Sequence, residues 1–216
     1  MPPFVNPNYI VYHREHKNYR NFVEIFQKKR GGDFMGHSLQ EAEVVQIESI
    51  GEGARVCLDF VDQLAPTEGL LVGNTGHGYL VVLAENRTTD TYPARPFRIN
   101  VGAIHHYLIK EGEQSAYLAE LQPGNRLSLI NEKGETRSLA IGRIKIEKRP
   151  LLRVVTKIGE TEISATLQEA DSVHVLGPNQ EEKQILSLEV GDQIMICVDQ
   201  PGRHLGEKID EEIVEF

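Results

Sequence analysis

From Ser38 onward the chain is a succession of short apolar runs punctuated by turn residues, and this pattern restricts the fold more than any other feature. "AEVVQIESI", "ARVCLDFV", "GLLVG", "YLVVLAE", "RLSLI", "SLAIGRIKIEK", "LLRVVTKI", "TEISATL", "SVHVL" and "QIMICVD" follow one another with no long helical stretch between them. Runs of this length and spacing predict a mainly β fold of antiparallel, barrel-like modules. The start of the chain differs. Met1 to Ser38 reads as a short αβ segment, with "NYIVYH" as a strand and Asn18 to Lys29 as a helix that stacks Phe22, Ile25 and Phe26 on one face and stops at Gly31. The expected division is therefore 1–38 and a β-rich domain over 39–216.

One phrase recurs. "LAPTEGLLV", "LQPGNRLSL" and "LEVGDQIMI" each run leucine, turn, alternating strand. Pro123-Gly124 suits the centre of a type II turn, since proline fixes φ and glycine accepts φ > 0. The similarity extends loosely over 100–155 and 169–216. Two readings stand: an internal duplication, or a common strand-entry turn used repeatedly.

A chain of 216 residues is long enough for one or two domains with a real core. It carries no apolar run able to span a bilayer and no basic-then-apolar leader pattern at "MPPFVNPNYIVYHREH". A net charge of −9 disfavours nonspecific contact with nucleic acid or a membrane surface. Cys57 and Cys197 both lie in apolar runs and are expected to be buried thiols in a cytoplasmic protein, and no zinc-type cysteine spacing is present.

The chemistry concentrates in "ARPFRINVGAIHHYL", Ala94 to Leu108, where charged groups alternate with Phe97, Ile99 and Val101. A plain core strand would not carry unpaired arginines. Arg95, Arg98, Arg149 and Arg203 are candidates for an anion pocket, because guanidinium groups grip carboxylate or phosphate through two parallel hydrogen bonds. Glu85, at the end of "YLVVLAE", is either a solvated strand end or a metal ligand or general base at a barrel mouth. Lys145, Glu147 and Arg149 share one strand face and read as an exposed salt-bridged row. "GNTGHG" (Gly73 to Gly78) has the glycines of a phosphate cradle, but with strands on both sides it reads better as a tight hairpin loop. His105 and His106, as strand neighbours, point to opposite faces.

Taken together, "RVCLDF", "LLVGNTGHGYLVVLAEN", "ARPFRINVGAIHHYL", "GRIKIEKRPLL", "TLQEADSV" and "GRHLGEKIDEEIVEF" resemble 3-dehydroquinate synthase type II, from about Leu39 to Phe216. The family is similar in turn to 3-amino-4-hydroxybenzoate synthases. The resemblance implies a cyclase or lyase acting on a small anionic amino- or keto-acid derived from a sugar, in aromatic or secondary-metabolite biosynthesis. In the family, NAD-dependent oxidative deamination precedes intramolecular aldol closure, and in the aminobenzoate relatives a divalent metal is implicated. Carried onto this chain, the resemblance makes Glu85, His105 and His204 the catalytic candidates and the candidate ligands for Mn or Zn. It makes Arg95, Arg98, Asn100, Glu147, Arg149, Gln168 and Arg203 the substrate-binding candidates.

Two departures matter. The family's longer N-terminal half is replaced here by Met1 to Ser38, and the family places a histidine where this chain has Leu83. The chain alone is therefore expected not to bind NAD in the Rossmann manner, which needs a glycine-rich turn leading from a strand into a helix. The expected partners are the small anionic substrate, a second copy of the chain, or a separate catalytic subunit. A noncatalytic binding or regulatory subunit is the competing reading.

Overall fold

The computed structural model describes residues 37–111, 114–200, 203–204, 207–208, 213 and 215. The strand and helix expected within Met1 to Ser38 lie outside the described residues. The described region is mainly β and antiparallel, as the run pattern requires. No helix among the described residues is long and apolar enough to cross a membrane.

Two long strands form the spine. β1 (Leu39–Phe60) pairs with β8 (Thr136–Ile158) from Glu43 opposite Lys157 to Phe60 opposite Ile141. Each then carries different neighbours on its two halves. The start of β1 pairs with β12 (Gln193–Val198) and its end with β4 (Arg98–Ala103). The start of β8 pairs with β7 (Arg126–Ile130) and its end with β9 (Thr161–Gln168). The hairpin of β2 (Gly69–Gly73) and β3 (Gly78–Leu83) links β7 to β12, so the order β3-β12-β1-β8-β7-β2 closes on itself as a ring. A closed ring leaves none of these six strands without partners on both sides over part of its length, which removes the aggregation risk of a bare edge.

The remaining strands repeat one arrangement. β5 (Tyr107–Ile109) and β6 (Ser115–Tyr117) form a small antiparallel pair beside β2, and β10 (His174–Leu176) and β11 (Glu182–Gln184) form one beside β3. Each pair is followed by one 3-10 turn, then a glycine turn, then a strand of the ring. The backbone bonds match as well. Leu118 N–H donates to His106 O at 2.9 Å, and Ile185 N–H donates to Val173 O at 2.9 Å. Exchanging β1 with β8, β2 with β3, β4 with β9, β5 with β10, β6 with β11 and β7 with β12 returns the same set of strand pairings.

The recurring phrase is a recurring turn. Gln122 O accepts from Asn125 N–H at 3.0 Å with Gly124 at φ +91°, and Glu189 O accepts from Asp192 N–H at 3.1 Å with Gly191 at φ +98°. Positive φ at the third turn position is the type II geometry that glycine permits.

Strand parity sorts the side chains. On β3, Leu80 and Val82 join the main core, while Tyr79, Val81 and Leu83 join a second cluster on the opposite face. A strand buried on both faces reads as an unbroken apolar run, which is what "YLVVL" is. On β1 the main core takes Val56, Leu58 and Phe60, and on β4 it takes Ile99 and Val101. That leaves Arg55, Cys57 and Asp59, with Arg98 and Asn100, on the other side.

Candidate functional site

These leftover positions make one polar face where β4, β1 and β8 run side by side. Asp59 stands opposite Arg98 on β4 and opposite Arg143 on β8. Arg98 donates from Nε to Asp59 Oδ1 at 2.7 Å and from Nη2 to Oδ2 at 3.0 Å, and Arg143 Nε reaches Oδ2 at 2.7 Å. Burial pushes the Asp59 carboxyl up, but the two guanidinium groups outweigh it and hold its pKa below the usual carboxylate value. Four residues earlier on β1, Arg55 sits opposite Glu147 and donates to it at 2.7 Å. Glu147 also receives Lys145 at 3.0 Å and Arg149 at 2.9 Å. Between them lies Cys57, buried against Arg55, with its thiol pushed up to about 11 by burial. That thiol stays protonated at neutral pH and is no nucleophile.

Glu85 enters this face from the end of β3. Its N–H donates to Arg98 O at 2.8 Å and its carbonyl accepts from Arg95 N–H at 2.6 Å, which fixes both arginines around it. Its side chain is 4% exposed. Arg95 Nε lies 2.6 Å from Glu85 Oε2, yet out of line for a hydrogen bond, so the pair is a charge contact and both atoms lack a hydrogen-bond partner. Burial raises the pKa of Glu85 against the opposing pull of Arg95, Arg98 and Arg55. Asn100, 2% exposed, donates to Gln168 Oε1 at 2.8 Å and leaves its own Oδ1 unbonded.

Arg55 Nε, Glu85 Oε2, Arg95 Nε and Asn100 Oδ1 are thus four buried polar atoms without a hydrogen-bond partner on one face. Leaving one buried polar group unpaired costs about 1–3 kcal/mol, so such atoms in a native fold call for an explanation, and a polar ligand supplies one. The cations Arg55, Arg95, Arg98, Arg143, Lys145 and Arg149 outnumber the carboxylates Asp59, Glu85 and Glu147. The face is locally positive in a chain of net charge −9, which suits an anion.

The sequence-based candidates fall into groups. Glu85, Arg95, Arg98, Asn100, Glu147, Arg149 and Gln168 are brought together on this face or at its margin. Arg98 has its Nε and Nη2 engaged by Asp59. Lys145, Glu147 and Arg149 form the expected ion-paired row, with buried Arg55 added to it. His105 is separate from the hydrogen bonds of this face; its Nε2 lies 3.1 Å from Asn74 Oδ1 in the "GNTGHG" loop, and burial lowers its pKa. That loop is the β2–β3 hairpin connection. Arg203 and His204 sit on β13 (Arg203–His204), which pairs with β14 (Glu207–Lys208); their side chains lie outside the described ones. Arg55, Asp59 and Arg143 were not anticipated. Their signal is the alternation in "RVCLDF", which places Arg, Cys and Asp at every second position of an otherwise apolar strand.

Among the described residues no three histidine, cysteine, aspartate or glutamate side chains are grouped to hold a metal. The described groups around Glu85 are Arg95, Arg98, Arg55 and the Ser172 side chain, with no second carboxylate or histidine among them, so these described residues do not fit a metal centre. The described residues also contain no α-helix, hence no strand–turn–helix unit for a dinucleotide.

The family model of the 3-dehydroquinate synthase II C-terminal domain matches residues 41–216. The chain belongs to this family. Among its relatives, the 3-dehydroquinate synthase of Methanosarcina barkeri is 34% identical over 198 residues, covering 92% of this chain and 52% of the relative. The 3-dehydroquinate synthase of Methanoculleus marisnigri is 39% identical over 173 residues, 80% of this chain and 53% of the relative. That of Archaeoglobus fulgidus is 35% identical over 196 residues, 91% of this chain and 59% of the relative. The chain spans about half the length of the curated relatives it matches. No solved structure matches it. Every residue of the polar face, from Arg55 to Gln168, falls inside the 3-dehydroquinate synthase II C-terminal domain.

Proposed function

We propose that this chain takes part in 3-dehydroquinate synthase II chemistry by holding a small anionic keto- or amino-acid on the β4–β1–β8 face and handling a proton during ring closure. The observation that carries this reading is the set of buried atoms without a hydrogen-bond partner at Arg55, Glu85, Arg95 and Asn100, of which Arg95 and Glu85 share a charge contact. Arg95 and Arg55 grip the carboxylate or a developing oxyanion. Asn100 Oδ1 accepts from a hydroxyl. Closing a carbocycle by intramolecular aldol addition requires a base to take the proton beside a carbonyl and donors to stabilise the enolate oxygen. Glu85 Oε2 is the base, its basicity raised by burial. Asp59 and Arg143 lock Arg98, which positions Glu85 through the backbone bond from Glu85 N–H to Arg98 O. His105, which meets Asn74 of the β2–β3 loop, is assigned as a further proton carrier, and His204 is proposed for the same role. The buried thiols of Cys57 and Cys197 support a reducing, cytoplasmic setting.

The direct test is calorimetric titration of the chain with 3-dehydroquinate, followed by an assay of the chain mixed with the separately expressed N-terminal half of a relative. Binding that is lost in Arg95→Ala, and product formation that falls at least about a hundredfold in Glu85→Gln, are the expected results. Wild-type binding that survives both substitutions unchanged overturns the assignment.

A further inference from the structure

The β2–β3 loop holds a carboxylate that the chain itself supplies. Gly76 N–H donates to Glu215 Oε2 at 2.7 Å, and Tyr107 O–H donates to Glu215 Oε1 at 3.3 Å. Tyr107 and Tyr117 are register partners on β5 and β6; their rings stack at 4.5 Å and their hydroxyls lie 2.7 Å apart. One proton order satisfies every contact: Tyr117 donates to Tyr107, and Tyr107 donates to Glu215. Burial, then the bond to Tyr117, raise the pKa of Tyr107, so it keeps the proton this order needs.

The receptor is built independently of its occupant. Asn74 ties the loop down, donating to Ser164 Oγ at 2.9 Å and meeting His105 Nε2 at 3.1 Å, while Asn74 N–H donates to Ser164 O at 2.8 Å. A Cβ on Gly73 would lie 2.3 Å from Gly78 O, so the two ends of the loop close only with glycine there. Both oxygens of the carboxylate are thereby held by one N–H and one O–H from a fixed frame. Among the described residues no ion pair reinforces the grip, and the outer end of the relay, Tyr117, is 40% exposed.

We propose that the loop Gly73 to Gly78 with Tyr107 is a carboxylate-binding subsite, and that Glu215 is its built-in occupant, displaced when a small carboxylate ligand binds. A tethered occupant competes at an effective concentration near the millimolar range, so it weakens apparent binding without touching the receptor.

The Gly76 amide resonance in isotope-labelled protein reads this directly. Acetate is titrated into wild type, Glu215→Ala and Glu215→Ala/Tyr107→Phe, with inorganic phosphate as a parallel arm. The expected result is a Gly76 shift whose midpoint falls about tenfold in acetate concentration on removing Glu215 and rises again without the Tyr107 hydroxyl. Equal midpoints in wild type and Glu215→Ala, or no Gly76 response in Glu215→Ala, overturn the proposal. A response to phosphate as strong as to acetate overturns the assignment to carboxylates.

Discussion

Arg98 and Asp59 face each other across β4 and β1 and close two parallel hydrogen bonds, Nε to Oδ1 at 2.7 Å and Nη2 to Oδ2 at 3.0 Å. Arg143 reaches the same carboxylate from β8, so one aspartate pins three strands. Removing one partner of a buried pair leaves an uncompensated charge, which costs about 3–5 kcal/mol. Asp59→Asn is therefore expected to lose about that much stability in urea unfolding at pH 7. The folded-state pKa of Asp59 is depressed, so its contribution is present above the unfolded value of 3.8 and is lost as pH falls through the folded value. The gap between wild type and Asp59→Asn should narrow below about pH 4. A gap that is constant down to pH 2 contradicts the pairing.

The same geometry separates two arginines that look alike in sequence. Arg98→Ala should register first as lost stability, because Arg98 is committed to Asp59. Arg95 has no hydrogen bond from Nε, a charge contact to Glu85, and its guanidinium over the Tyr92 ring at 4.5 Å. Arg95→Ala should cost less stability than Arg98→Ala, because Arg95 is partly exposed and Glu85, its pKa already raised by burial, takes up a proton once its partner is removed; it should weaken binding of 3-dehydroquinate by about 1.5–3 kcal/mol, roughly ten- to a hundredfold. Calorimetry and urea unfolding on both variants check this. The reverse pattern would show that Arg98 rather than Arg95 meets the ligand.

Much of this was legible in the residues, and the reasons for the rest are physical. The run pattern declares an antiparallel β protein because a half-buried strand must alternate and a fully buried one must not. The turn in "LQPGNRLSL" is readable because only glycine accepts φ +91° cheaply at position 124. The pairing of Arg98 with Asp59 was not readable, since register between strands 39 residues apart depends on bulges such as the one between Val56 and Cys57. Arg98 looked like a free ligand-gripping group for that reason. The 22- and 23-residue lengths of β1 and β8 were also hidden, because Gly51 and the exposed middle of β1 break the apolar pattern without breaking the strand. Of the two histidines, the resemblance drew notice to His105, while tertiary contacts make His106 the structural one.

Glu85 offers a test of opposite sign to Asp59. Its folded-state pKa is raised, so the stability it contributes is full below the unfolded carboxylate value of 4.5 and is lost as pH rises through the folded value. Glu85→Gln mimics the neutral form. Its stability relative to wild type should improve as pH rises above 4.5 and through the folded value, measured by urea midpoints from pH 4 to 7. Wild type gaining on Glu85→Gln over the same interval would mean that the arginines, rather than burial, set the charge state.

His106 gives the fourth prediction. It is 0% exposed, donates from Nδ1 to Val101 O at 2.9 Å and accepts Thr166 N–H on Nε2 at 2.7 Å. Both nitrogens are used by one tautomer of the neutral ring, and protonating Nε2 would break the bond to Thr166. Burial, opposed in part by the bond to Val101, lowers its pKa to about 3. The neighbouring backbone is shaped around the ring: Gly102 holds φ +80°, and a Cβ there would lie 2.8 Å from His106 Cε1 and 2.3 Å from Thr166 O. In the unfolded chain a histidine takes up a proton near 6.5, while in the fold this one does not until about 3. Between those values the unfolded state binds the extra proton, so acid favours unfolding, by about 1.4 kcal/mol per pH unit. Below the folded value both states are protonated and the slope vanishes. His106→Leu removes this slope but leaves Thr166 N–H and Val101 O unpaired, which should cost about 3 kcal/mol at pH 7.5. Urea unfolding of both proteins at pH 7.5, 5.5 and 4.5 should show wild type ahead at the first and its lead shrinking at each step down. Parallel stability profiles would mean that His106 is not held neutral in the fold.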